Sequence, residues 1–125
     1  MKIQDLYTED EIRMIQRLIK SAGRRKVNIL FSYFLRWLIK QKKLIFTQYE
    51  FHYWALRFTN VSLKTVGCWI TMLKQRSYVQ YVRGGVWRVT IKALYDFGLV
   101  DLHQFLGIKY EEEELIRHAS EEGNV

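Results

Sequence analysis

The residues of this 125-residue chain best suited to metal ligation or nucleophilic chemistry are three histidines and one cysteine, and their spacing serves neither. His52, His103 and His118 are far apart and hold no ligand-like spacing to Cys68, whereas zinc sites draw ligands from close pairs. Asp96 and Asp101 are isolated carboxylates with no sequence reason to form an acid–base pair. Gly84-Gly85 lies between β-rich arms, so no glycine-rich phosphate loop opens a helix. The reading predicts no enzyme, metal site, cofactor or small-molecule ligand. What remains is a set of cations and small polar groups. Lys64, Thr65, Cys68, Thr71, Gln75 and Arg76 fall in one stretch, Tyr81, Arg83 and Arg88 in the next, and Arg24, Arg25 and Lys26 upstream. Lys and Arg suit phosphate oxygens; Thr and Gln suit base edges, Gln best adenine in a major groove.

Charge sharpens this. The formal net is +7, but residues 1–23 sum to zero and residues 93–125 carry two basic and eight acidic side chains, a net of −6. Residues 24–92 hold fourteen basic side chains and one acidic, a net of +13. The positive charge coincides with the polar sets above, which favours a polyanionic partner.

The elements that must position these residues run from Thr47 to Thr90. Thr47 and Glu50 form a capping box, and Phe51, Trp54, Ala55 and Phe58 recur at helical spacing. Thr59-Asn60-Val61 makes a turn in which Asn tolerates a left-handed backbone, and Ser62 caps the next helix. There Leu63, Val66, Ile70 and Leu73 face inward, and Gly67 permits close approach. Lys64, Thr65, Cys68, Thr71, Met72 and Gln75 lie opposite, and Lys74-Gln75-Arg76 suits the negative C-terminal pole. Gly84-Gly85 then reads as a primed two-residue hairpin turn. Counting outward pairs Arg83 with Val86, Val82 with Trp87, Tyr81 with Arg88 and Gln80 with Val89. Tyr78, Val82, Trp87, Val89 and Ile91 would face the core, and Tyr81, Arg83, Val86 and Arg88 would face out.

Helix, turn, helix and glycine-tipped hairpin in this order resemble the winged helix-turn-helix superfamily of small transcriptional regulators over residues 47–98. Val86-Trp87-Arg88-Val89-Thr90-Ile91-Lys92 is similar to the second wing strand and following helix start of such proteins. Asn60 stands where that superfamily often has Gly. The resemblance implies a recognition helix over 63–76, with Lys64, Thr65, Cys68, Thr71 and Gln75 facing a groove, and a basic wing over 78–90 carrying Arg83 and Arg88.

The expected fold is mainly α with a small β-hairpin, a winged helix-turn-helix with extra N- and C-terminal helices in one domain over 1–125. Its core is 24–98, its N-terminal helix 8–22 and its helical, acidic tail 99–125. Thr8 and Glu11 form a first capping box before Ile12, Ile15, Leu18 and Ile19, and Gly23 ends that helix. This helix either covers the core or pairs with a second subunit. Val27–Lys40 is apolar nearly all round and should be buried on more than one side, against the core and a partner subunit. Its apolar run is too short to span a membrane. Lys40, Lys42 and Lys43 form either a solvated linker or a phosphate clamp, before a short strand at Leu44-Ile45-Phe46. A helix runs from Thr90 to Phe97, and a short one over 99–106 precedes an acidic tail. The tail is either mobile or screens the basic surface. The sole cysteine fits a reducing, cytoplasmic setting, and Met1–Lys20, amphipathic with acids from Asp5 onward, does not read as a signal peptide.

Three functional expectations follow. The first is a homodimeric double-stranded DNA binder that regulates transcription. The second is a winged helix used for protein–protein contact in a larger assembly. The third is an RNA or single-strand binder that stacks bases on Tyr81 and Trp69, the other tryptophans (Trp37, Trp54 and Trp87) reading as packed.

Overall fold

A reciprocal cap opens the first helix of the computed structural model, which describes residues 7–99. Thr8 Oγ1 accepts the Glu11 N–H at 3.1 Å, and the Glu11 carboxylate accepts the Thr8 N–H at 3.3 Å. Helix α1, Glu9–Ala22, follows, with Glu9, Asp10 and Glu11 in its first turn, where acids suit the positive pole. Gly23, at φ 56°, ends it, a left-handed backbone that costs glycine nothing. A single 3₁₀ turn, Gly23–Arg25, leads into α2, Lys26–Lys40. Strand β1 (Ile45–Thr47), helix α3 (Gln48–Ala55), helix α4 (Leu63–Gln75), strands β2 (Val79–Arg83) and β3 (Val86–Val89), and helix α5 (Ile91–Asp96) complete the order. The described chain is mainly helical with one three-stranded antiparallel sheet, ordered β1-β3-β2.

The core is aromatic. Phe34 of α2 stacks on Phe51 of α3 with ring centroids 4.4 Å apart and planes 6° off parallel. Phe46 of β1 meets Phe34 edge-on at 5.1 Å, and Trp54 lies 5.4 Å away. One residue of α2 thus ties together a helix, a strand and the helix that follows. Val27, Leu30, Phe31, Leu35, Trp37, Leu38 and Ile39 of α2 are buried as well. The expectation of burial on several sides holds, but no second subunit is needed for it. The chain's own α1, α3 and α4 cover this helix.

Several other expectations need correction. In α1 the buried stripe is Ile12, Ile15 and Ile19, while Leu18 is exposed, being displaced sideways from that stripe. Asn60 is not left-handed; among the described residues the positive-φ positions other than glycine are Lys42 and Ser77, which turn the chain after α2 and α4. The α3–α4 connection is held instead by His52, whose Nε2 lies 2.8 Å from the Val61 carbonyl oxygen. Ile91 is exposed, because the Thr90 cap starts α5 there and turns Ala93 and Leu94 inward. The expected helix over 99–106 and the acidic tail lie outside the described residues.

The hairpin turns on Gly84 and Gly85 at φ 58° and 80°, both left-handed, as a type I′ turn demands. Its register differs from simple counting. Arg83 pairs with Val86, but the ladder then slips at Val82, so that Tyr81 pairs with Trp87, Gln80 with Arg88 and Val79 with Val89. A bulge inserts one unpaired residue and exchanges the faces of everything before it on that strand. Val79 and Val89 are therefore the buried pair, and β1 extends the rows by setting Phe46 beside Trp87 and Ile45 beside Arg88.

Two predictions follow. Phe34→Ala should lower unfolding free energy by about 3–5 kcal/mol in urea titration, the usual cost of emptying a buried aromatic site; a loss under ~1 kcal/mol would remove Phe34 from this central role. Burial, opposed in part by Trp54, raises the Tyr7 phenol above its ordinary value. Burial first, then the hydrogen bond and charge of Asp96, do the same for Tyr78. A folded value above the unfolded one of 10.0 makes this contribution whole below pH 10 and lost as pH rises through the folded value. Stability should accordingly fall above about pH 10, and less steeply in Tyr78→Phe.

Candidate nucleic-acid interface

Helix α4 starts from Ser62, whose Oγ accepts the Thr65 N–H at 3.1 Å. Its first turn holds no acid and carries Lys64, unlike that of α1. No acid in that first turn offsets the positive pole, which suits an anion there. Val66, Trp69, Ile70 and Leu73 are buried; Leu63 is half-buried.

Going round α4 from Gly67, at 100° per residue, Thr71, Lys64, Gln75 and Cys68 follow one another, then half-buried Met72 and Thr65; all but Met72 are exposed. The structure thus brings together the groove-facing set expected from sequence. Its hydroxyls are partly committed. Thr71 Oγ1 donates to the Gly67 carbonyl at 3.1 Å, which leaves it an acceptor toward anything outside. Thr65 Oγ1 lies 3.0 Å from Ser62 Oγ, inside the helix cap.

Both flanks of the arc are defined by contacts. On the Gly67 side lies α3: Gln48 Nε2 donates to the Leu63 carbonyl at 2.8 Å, and a Cβ at Gly67 would come within 2.8 Å of that nitrogen. On the other side stands the beginning of α2. Lys26 Nζ sits 5.5 Å over the Trp69 ring, and the Arg76 guanidinium donates to Asn28 Oδ1. Exposed Arg24 and Arg25 immediately precede this contact.

These contacts show what three of the expected nucleic-acid residues touch within the chain. Arg76 is half-buried, and its guanidinium fastens the end of α4 to α2 through Asn28. Lys26 is half-buried over an aromatic face. Trp69 is buried at 7% exposure and offers no surface for stacking bases, because it lies on the edge of α4 that α2 covers. In the upstream lysine cluster, Lys43 pairs with Glu50, the sole acid between residues 24 and 92.

The ribbon carries the remaining cations. Arg88 shares a row with Ile45 and Gln80, and Arg83 shares one with Val86 and Thr47, on the face opposite buried Val79 and Val89. Both arginines are half-buried. Tyr81 is not on their face as expected. The slip at Val82 sets it across from Trp87, with ring centroids 5.1 Å apart, and its hydroxyl accepts the Gly85 N–H at 3.2 Å.

Sequence reasoning missed Gln48, which seats α3 against α4, and the stripe Tyr49, Tyr53 and Leu56 on the exposed side of α3. Tyr49 is 71% and Tyr53 65% exposed. Their i, i+4, i+7 spacing is a legible signal, overshadowed by the stronger stripe beginning at Phe51. Among the described residues no group of three or more His, Cys, Asp or Glu side chains could hold a metal, and no helix is long and apolar enough to cross a membrane.

Cys68, free and exposed on the arc, provides a direct probe. A thiol-specific reagent should label the native protein within about tenfold of its rate on the urea-unfolded chain; near-complete protection of the native thiol would mean that the arc is closed. Set against protein-family models, curated proteins and solved structures, the chain matches none of them.

Proposed function

We propose that the protein is a winged helix-turn-helix that binds double-stranded DNA, with α4 as the reading helix and the β2–β3 ribbon as its wing. The element order α2-β1-α3-α4-β2-β3 and the sheet order β1-β3-β2 support this reading. The observation that carries it is the acid-free exposed arc of Lys64, Thr65, Cys68, Thr71 and Gln75, bordered by Arg24 and Arg25. An arc meant only for water would ordinarily mix both signs of charge. Lys64, Arg24, Arg25, Arg83 and Arg88 supply phosphate contacts, which fix register on the duplex without reading sequence. Gln75 and Thr71 read base edges. Thr71, already donating to Gly67, accepts from an exposed base amino group, and Gln75 is fitted to the paired donor and acceptor of adenine. Transcriptional regulation as a homodimer is the biological role proposed. A two-fold dimer would present two such helices to a palindromic site with half-sites about 34–36 Å apart.

One observation favours a second reading. Tyr49, Tyr53 and Leu56 form an exposed apolar stripe on α3, the kind of surface used for protein contact. In that reading the module docks to a protein in a larger assembly. Substitutions separate the two. Arg83→Glu with Arg88→Glu abolishes duplex binding under the first reading, whereas Tyr49→Ala with Tyr53→Ala abolishes partner binding under the second.

Five phosphate contacts predict a slope of log affinity against log salt of about −4 to −5. Lys64→Ala should make that slope shallower by about 1 and weaken all duplexes alike, while Gln75→Ala should relax preference at one base pair. A slope near zero, measured by fluorescence anisotropy with a selected duplex, would overturn the proposal.

A further inference from the structure

A cleft of about 390 Å³ opens between the end of α1, the start of α2 and the α3–α4 connection, a volume within the range of small-molecule sites. Gly23, which ends α1 at φ 56°, is part of its lining. Its apolar floor is Ile19 and Phe58, the latter held edge-on by Tyr7 at 5.3 Å. Gln16 and Thr59 add polar groups at the rim. Among the described residues, the charged groups in the lining are Lys20 and Lys26, and none of the lining residues is a carboxylate. Lys20 is exposed, and Lys26 already leans on the Trp69 ring. Two lysines in the lining of a cleft with an apolar floor point to a chemical class: an anion with a flat or compact hydrocarbon body.

From this we propose that the cleft binds a small amphipathic carboxylate, with the hydrocarbon on Ile19 and Phe58 and the carboxylate between Lys20 and Lys26. The site is separate from the exposed arc of α4 and does not depend on DNA binding. It is nevertheless linked to the arc, since Lys26 bridges the cleft and the buried edge of α4 through Trp69. A bound carboxylate competes with that ring for the same ammonium group.

The test uses the full chain without DNA, at fixed ionic strength, with 1-naphthoate as probe in isothermal titration. 1-Naphthamide supplies the same body without charge, and inorganic phosphate supplies charge without the body. Saturable one-to-one binding of naphthoate, at least tenfold tighter than of the amide or phosphate, is the expected result. Lys20→Gln should weaken it at least fivefold, and Thr59→Trp, which fills the rim, should abolish it. Lys40→Gln, an exposed lysine elsewhere, should leave it unchanged. Circular dichroism identifies folded variants, and Lys20, being exposed, is removable without disturbing the core. Equal affinity for phosphate, equal affinity for the amide, unchanged affinity in both Lys20→Gln and Thr59→Trp, or no heat at 1 mM naphthoate would each overturn the proposal.

Discussion

The stacked pair Phe34 and Phe51 is the contact on which the arrangement depends. Their rings lie nearly parallel at 4.4 Å, and Phe46 and Trp54 pack against Phe34 from other elements. Aromatic pairs of this kind add to the large apolar area each ring already removes from water. Because α3 is fixed to α2 in this way, the polar residues on its adjoining side are held against α4. Gln48 and His52, one turn apart, grip the beginning of α4 and the loop before it through the Leu63 and Val61 carbonyls. The rotation of α4 about its own axis, and with it the identity of the exposed arc, follows from a stacking contact distant from that arc.

The distribution of cations follows a similar logic. A surplus of basic residues destabilises a compact chain by self-repulsion unless some are neutralised or placed apart. Lys43 meets Glu50, Lys92 lies 3.5 Å from Asp96 and 4.7 Å over the Tyr78 ring, Lys26 stands over Trp69, and Arg76 meets Asn28. Each of these joins one element to another or steadies a helix end. Exposed pairs of this kind are individually weak, but they determine which basic residues are available at the surface. Lys64, Arg24 and Arg25 stay exposed, and the proposed polyanion face rests on them and on Arg83 and Arg88 of the ribbon rather than on the whole net charge.

Local features were read directly from the chain because local chemistry alone produces them. Both capping boxes, the Ser62 cap, the Gly23 stop and the glycine-tipped turn involve residues within a few positions of one another. The exposed arc of α4 was also legible, since a 3.6-residue period separates Lys64, Cys68, Thr71 and Gln75 from Val66, Ile70 and Leu73. Trp69 was misjudged because it lies at the margin of that period, where only the position of α2 decides between burial and display. Tyr81 was placed on the wrong face because counting back from a turn assumes an unbroken ladder, and one bulged residue reverses the count.

By itself, then, the sequence determined where each described helix begins, where the hairpin turns and which side of α4 is polar. Those outcomes depend on hydrogen bonds and periodicities that span a turn or two of chain. Tertiary structure alone decided that Arg76 reaches Asn28 and Lys26 the Trp69 ring, that Val82 bulges, that α1, α3 and α4 all pack on α2, and that α1, α2 and the α3–α4 connection leave a cleft. Each of those depends on the relative placement of elements tens of residues apart, and a one-dimensional pattern carries no measure of that distance.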